Sequence, residues 1–344
     1  MKNILFLILF LPALLFAQNT LLVPSQYSTI QNAINVSSNG DTILIAPGTY
    51  NEAISFIGKD IVVTSEFIYN QDTSYISNTI LDGTGLVNQD IVSITSGENN
   101  ALLYGLSIKN GNFINMGRAG VCVSNSSHAV IDNVIIENIF TDGHGPGVFI
   151  NNQSNVVIKN SIIRNNTSRM NGGGIYIENS VVNIDSSTIT ENTCVLADGS
   201  LTGHGGGISI WSNSDVQIEN TLINRNSSNT GGGVYVANSD INLIYNDISL
   251  NTAQHDGGGL TLSSYTTGPH NAMITNCTFY DNAAISNPLI SNGIKIAPNG
   301  AYFVTTILNS IIWENIDGSV NSVEYSNIQQ GLSGTGNISV VPDF

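Results

Sequence analysis

Positive charge is scarce in this chain. Nine Lys and Arg face 25 Asp and Glu, a formal net charge of −16. Such a surface excludes nucleic acid and anionic membrane as natural partners, and it would repel a polyanionic glycan unless cations bridged the two. Neutral glycans, proteins or cations suit it better. Charged residues are only 10% of the chain, so Asn, Ser and Thr must carry solubility. Cysteine is also rare. Cys122, Cys194 and Cys277 allow at most one disulfide, and their spacing leads us to expect none. Long apolar runs are missing except at the start. Ile4 to Phe16 follow Lys2 and end at Leu15-Phe16-Ala17 before Gln18, so residues 1–17 read as a signal peptide. Its removal leaves 8 basic residues and a formal −17. The stretch is too short for a membrane span. An exported product is expected, secreted or at the cell surface, and monomeric.

What the chain has in abundance is a recurring phrase. Asn171-Gly172-Gly173-Gly174-Ile175-Tyr176-Ile177 returns as His204-Gly205-Gly206-Gly207-Ile208-Ser209-Ile210 and as Thr230-Gly231-Gly232-Gly233-Val234-Tyr235-Val236. Weaker copies end on Gly120, Gly147, Gly259 and Gly293. The last glycines are 27, 27, 33, 26, 26 and 34 residues apart, and a period of this size marks a solenoid. Each unit holds two short β-branched runs without helical spacing, as in Val156 to Asn165, which reads as strand, turn, strand. Such units cannot form βαβ crossovers. They wind as an all-β helix whose coils stack at about 4.8 Å.

A second phrase keeps step. Asn138, Asn165, Asn192, Asn226, Asn251, Asn282 and Asn315 each lie three residues after Ile135, Ile162, Ile189, Ile223, Ile248, Phe279 and Ile312. They are expected to form an amide ladder along the axis. The glycines are expected at tight corners with positive φ. Lys109, Glu137, Arg164, Glu191, Arg225, Leu250, Asp281 and Glu314 precede the ladder positions, and their alternating signs suggest a surface charge ladder. Lys159, between Asp132 and Asp185 in another column, reads the same way.

Residues 18–57 differ from the repeats. Ser28-Thr29-Ile30-Gln31-Asn32-Ala33-Ile34 spells a short amphipathic helix behind a Ser/Thr cap. A solenoid needs a lid over its exposed edge, and this helix suits that task. Irregular coils fill 58–118, Gly-rich coils 119–315, and one last irregular coil 316–344. The final residues show no terminal cap, so the native product is expected to continue.

Tyr27-x-x-Ile30-Gln31-x-Ala33-Ile34, with Gly40-Asp41-Thr42-Ile43-x-Ile45-Ala46-Pro47-Gly48-Thr49-Tyr50, resembles the N-terminal cap of pectin-lyase-like right-handed parallel β-helix proteins. Tyr104-Gly105-Leu106-Ser107-Ile108-Lys109-Asn110-Gly111 resembles one of their coils. The glycine triplets and Ile-x-x-Asn pairs resemble the repeats of polymorphic outer-membrane proteins. Asn309 to Asn315, running on to Pro342-Asp343-Phe344, is similar to the closing coil of Bacteroidota-type surface proteins. The resemblance covers nearly all of 18–344. It implies a single-stranded right-handed parallel β-helix (a solenoid) with a short N-terminal capping helix, associated with the cell surface or outer membrane.

In Gly-Ile-x-Ile the aliphatics point inward and x points outward. The outward column reads Cys122, Phe149, Tyr176, Ser209, Tyr235, Thr261, Lys295, and the next holds Glu178, Trp211 and Ala237. Phe149, Tyr176, Trp211 and Tyr235 are thus expected as an exposed aromatic patch for stacking on sugar rings, with Glu178 beside it. The bland alternative is that aromatics merely favour strand positions. A polar rim precedes the glycines: His144, Asn171, His204, Thr230 and Asp256, with Arg169 near. The two histidines are separated by one coil, roughly 10 Å apart, which is too far to share a metal. Gly143-His144-Gly145 and Gly203-His204-Gly205 are similar to a polygalacturonase motif, but the Asn-Thr-Asp, Asp-Asp and Arg-x-Lys of that family have no counterpart here.

These readings favour a non-catalytic protein for carbohydrate binding or adhesion, partnered by a polysaccharide, a surface glycan or a host or cell-surface protein, with no cofactor. The alternatives are a polysaccharide lyase or glycoside hydrolase, for which calcium would enter if a lyase, and a structural spacer for a further C-terminal domain.

Overall fold

A computed structural model describes residues 18–344 apart from 88, 115–118, 266–268, 287–291, 297–302 and 343–344. The expected signal peptide at 1–17 and the last two residues of the closing Pro342-Asp343-Phe344 phrase lie outside the described residues. Four strands make one coil. Val148–Ile150 leads to Asn155–Lys159, Ile162–Arg164 and Thr167–Ser168, and the chain then climbs to Ile175–Glu178. We number the sheets I to IV in that order. Each pairs parallel from coil to coil, and they hold 10, 12, 11 and 7 strands among the described residues.

The glycine phrase fixes the register of sheet I. Ile175, Ile208, Val234 and Leu260 pair in sequence and are fully buried, the inward stack that the alternation implied. Burying each such side chain is worth about 1.5–3 kcal/mol. The glycines act in two ways. The first of a triplet takes a left-handed turn, with φ +70° at Gly205. The second lies against the next coil: a Cβ on Gly206 would be 2.5 Å from both the Gly232 carbonyl oxygen and the Ser227 nitrogen.

Sheet IV carries no apolar alternation in sequence, and reading each unit as two strands missed it. Its first strand turns Phe113 inward, and the six that follow turn in Thr141, Ser168, Cys194, Ser228, Ala253 and Ala284, all buried and all small. Small side chains let this wall approach the glycines.

Three buried polar ladders run along the corners. Between sheets III and IV the backbone N–H and side-chain amide of Asn166 both donate to Asn192 Oδ1, at 3.1 and 3.0 Å. Asn192 repeats this to Asn226, Asn226 to Asn251, and Asn251 to Asn282. The membership corrects the sequence reading at both ends. Asn138 and Asn165 sit one residue earlier, at left-handed corner positions shared with Glu191, Arg225, Leu250 and Asp281. Asn166 and not Asn165 is the ladder residue, because Ile136 and Ile163, not Ile135 and Ile162, align with Ile189. At the far end Glu314, not Asn315, accepts from Asn282.

The other two ladders use hydroxyls. Ser154, Ser180, Ser214 and Ser239 follow one another between sheets I and II. Ser161, Ser187, Thr221, Asn246, Cys277, Ser310 and Ser326 do so between sheets II and III. Cys277 fits this series because its Sγ accepts the Asn246 N–H at 3.5 Å. All three cysteines are buried, and none of them forms a disulfide.

The charge ladder is shorter than expected. Lys109 and Arg164 clasp Glu137 at 2.7 and 2.6 Å. Glu191 and Arg225 lie on the corner instead of the sheet, so the alternation stops. Lys159 reaches Asp132 at 3.4 Å.

The N-terminal helix spans Ile30–Val36 and buries Ile30, Ala33 and Ile34 in the core. Thr29 caps it, and Glu52 accepts the N–H groups of Ile30 and Gln31 at 2.9 and 3.0 Å. At its other end Lys59 Nζ donates to the carbonyls of Ile34, Asn35 and Ser37 at 2.7–2.9 Å. Negative charge at the start and positive charge at the end both complement the helix dipole. Two further short helices, Phe67–Asn70 and Ser74–Asn78, interrupt the early coils.

Candidate functional site

The outer face of sheet I carries the expected columns. Cys122, Phe149, Tyr176, Ser209, Tyr235, Thr261 and Lys295 lie in register, and Glu178, Trp211 and Ala237 form the next column. The rings do not form one flat exposed patch. Tyr176 and Tyr235 are only 6% and 1% exposed. The cover comes from the rim: His144 stacks on Tyr176 at 4.5 Å between centroids, and His204 on Tyr235 at 4.4 Å. Phe149 stacks on Tyr176 at 5.4 Å, and Trp211 leans on Tyr235 at 5.3 Å. Ser209 falls between the two groups, and its hydroxyl accepts the Trp211 indole N–H at 2.8 Å.

Two ring clusters result, His144–Tyr176–Phe149 and His204–Tyr235–Trp211. Phe149, Trp211 and Glu178 are half-buried and remain reachable. Asn171 joins the clusters: its N–H donates to His144 Nδ1 at 3.2 Å, and its Oδ1 accepts the His204 N–H at 3.0 Å. His144 therefore carries its proton on Nε2 when neutral. Burial lowers the pKa of both histidines, holding them neutral near pH 7, and burial raises the hydroxyl pKa of Tyr176 and Tyr235. These tyrosines are poor bases. His204 Nδ1 is buried and finds no hydrogen-bond partner among the described residues.

Tyr265 belongs to this site and was missed in sequence. It follows the sheet I strand Leu260–Ser263, its hydroxyl is 2.8 Å from that of Tyr235, and its backbone N–H donates to Asn238 Oδ1 at 2.7 Å. It stands 68% exposed. Nothing in the repeat pattern marks it, because it lies outside the Gly-Ile-x-Ile phrase.

The rim cations are engaged. Arg169 pairs with Asp142 at 2.6 Å and lies over the Phe140 ring at 5.1 Å, and Lys295 pairs with Asp317. Asp256 is in register with Thr230, and His204 bridges Thr230 in turn, so the rim column is continuous. Among the described residues no group of three or more His, Cys, Asp or Glu is placed to hold a metal ion. The face therefore offers ring surfaces, the Glu178 carboxylate and hydroxyl groups, with no free cation among the described rim residues.

No curated protein matches this chain by sequence. Among solved structures it is similar to the pectate lyase Pel9A, at 14% identity and a TM-score of 0.53, over 86% of this chain and 73% of that one. It is also similar to the tailspike protein gp49 of Acinetobacter baumannii bacteriophage Fri1, a capsular polysaccharide depolymerase, at 12% identity and a TM-score of 0.52, over 92% of this chain and 57% of the tailspike. At these identities the likeness is one of fold. Residues 42–223, more than half of the chain, match the family described as right handed beta helix region, and with its parallel coils and pectin-lyase-like architecture the chain belongs to that family.

Proposed function

We propose that this is a carbohydrate-binding protein, secreted or displayed at the cell surface, that captures a neutral polysaccharide or surface glycan on sheet I. The observation that carries this reading is the His204–Tyr235–Trp211 cluster, with Glu178 in register beside Trp211 and Tyr265 hydrogen-bonded to Tyr235. Buried rings hold Trp211 in one orientation, so little side-chain entropy is lost when a sugar stacks on it. Glu178 supplies an acceptor for sugar hydroxyls. Pel9A and the gp49 tailspike, by their descriptions, act on polysaccharides, which agrees with this ligand class.

Binding is preferred to turnover on chemical grounds. Elimination from a uronic acid needs a base and a cation that neutralises the carboxylate. Arg169 and Lys295 are already paired, and the tyrosines hold their protons. A lyase or hydrolase is the second reading, favoured by the unpartnered His204 Nδ1 on the rim. A glycan-array screen run beside a depolymerisation assay, with and without calcium, separates the two. Retention without cleavage supports binding. Cleavage lost in His204→Ala moves the protein to the enzymes, and neither retention nor cleavage leaves the spacer role.

A further inference from the structure

Sheet III holds a set of oxygens on its outer face that the glycan reading does not use. Ile223 and Ile248 point into the core, so their neighbours Asn224 and Ser249 face outward, in register on adjacent coils. Despite facing outward they are nearly covered, at 8% and 1% exposure. Asp247 lies two residues before Ser249 on the same face, opposite Leu222. The Oδ1 atoms of Asn224 and Asp247 and the Oγ of Ser249 are all buried with no hydrogen-bond partner among the described residues.

Buried oxygens left so have lost water without gaining a partner, which is costly. Their placement suggests what meets them. Adjacent coils stand about 4.8 Å apart, and outward positions on one strand about 6.6 Å. A cation with oxygen bonds of about 2.3–2.6 Å joins oxygens up to about 5.2 Å apart, enough for the step between coils, and the reach of the Asp247 side chain closes the longer step along the strand. The cation must come from solution. Arg164, on the same sheet, is committed to Glu137, and Arg225 is exposed at the corner and makes no ion pair with Asp247 among the described residues. Calcium tolerates a mixed carboxylate, amide and hydroxyl set completed by water, where magnesium demands near-ideal octahedral geometry.

We propose that Asn224, Asp247 and Ser249 bind a divalent cation of the calcium class, which clamps two adjacent coils from the outside. The test uses the full chain after treatment with a chelator. Melting is recorded with calcium or magnesium chloride, and terbium luminescence is excited through tyrosine, since Tyr280 is in register with Ser249. Calcium is expected to raise the melting temperature more than magnesium and to displace terbium. Asp247→Asn should abolish both effects. Asp215→Asn, an acidic position on sheet II, should preserve them. Should Asp247→Asn fail to fold, Asn224→Asp gives the opposite test: it adds charge to the site, so it should lower the melting temperature without calcium and strengthen the calcium response. The proposal is overturned if calcium leaves the melting temperature unchanged, or if the wild type and Asp247→Asn respond alike.

Discussion

Asn282 donates its backbone N–H and its side-chain amide to the two carboxylate oxygens of Glu314. A carboxylate thus closes a ladder otherwise built of amides. Burial pushes the Glu314 pKa up to about 7, against the two Asn282 hydrogen bonds, which lower it, and nearby Asp281 adds to the rise. The folded pKa lies above the unfolded value of about 4.3, so the neutral acid is the form the fold favours. Stability from this group is fully present below about pH 4.3 and is lost as pH rises through about 7.

The first prediction follows. The C-terminal coils should open more readily at pH 8 than at pH 5, by on the order of 2–3 kcal/mol at most. Hydrogen exchange at the amides of Asn251 and Asn282 reads this directly. Glu314→Gln should flatten the pH dependence. Equal protection at both pH values in the wild type would refute the assignment.

Asn192 sits in the middle of the ladder and makes bonds in both directions. Asn192→Ala should destabilise the protein by about 1–3 kcal/mol, because the N–H of Asn166 and the Ile163 carbonyl lose partners in a dry interior. Asn165→Gly should stay within about 0.5 kcal/mol, since it changes an exposed left-handed corner that glycine accepts. Denaturant titration of the pair distinguishes ladder from corner. A reversed ranking would restore Asn165 to the ladder.

Gly206→Ala should be among the most damaging single changes, although it adds one methyl group. Its Cβ would meet backbone on two sides at 2.5 Å, and backbone cannot rotate away. Ile208→Asp should be as severe, through a buried unpaired charge. Both variants are expected to be lost from the soluble fraction or to melt far below the parent, as followed by circular dichroism.

Trp211→Ala should weaken retention on the preferred glycan, with melting nearly unchanged, because Trp211 is only half-buried. The loss should be about 2- to 10-fold, given a stacking contribution of about 0.5–1.5 kcal/mol. Tyr235→Ala is a poor probe, since it would empty a buried space. Tyr265→Phe is a better one, because it removes only the hydroxyl bonded to Tyr235. Calorimetry against the array hit measures both. Undiminished binding by Trp211→Ala would remove sheet I from consideration.

The repeat was legible because glycine tolerates no slippage. Seven glycines placed seven of the ten described sheet I strands in register, and the columns read from them are those of the fold. The asparagine columns were less secure, since the doublets Ile135-Ile136, Ile162-Ile163 and Asn165-Asn166 each permit two alignments. Only the direction of Ile163 into the core decides between them. Sheet IV and the serine corners were hidden by their composition: Thr, Ser and Cys facing inward look like loop. The aromatic face was read correctly in position and wrongly in exposure, because spacing says nothing of which way His144 and His204 lay their rings.

The corner ladders all point one way. Ser154 donates forward to Ser180, Thr221 to Asn246, and Asn192 to Asn226; each coil's amide is answered by the coil that follows it. Each coil therefore serves as template and terminus in turn, and an intact unit can be excised or duplicated with the joints still matching. Removing residues 208–233 would bring Gly207 against Val234, with the same corner on both sides of the cut. Length in this molecule is thus quantised in whole coils.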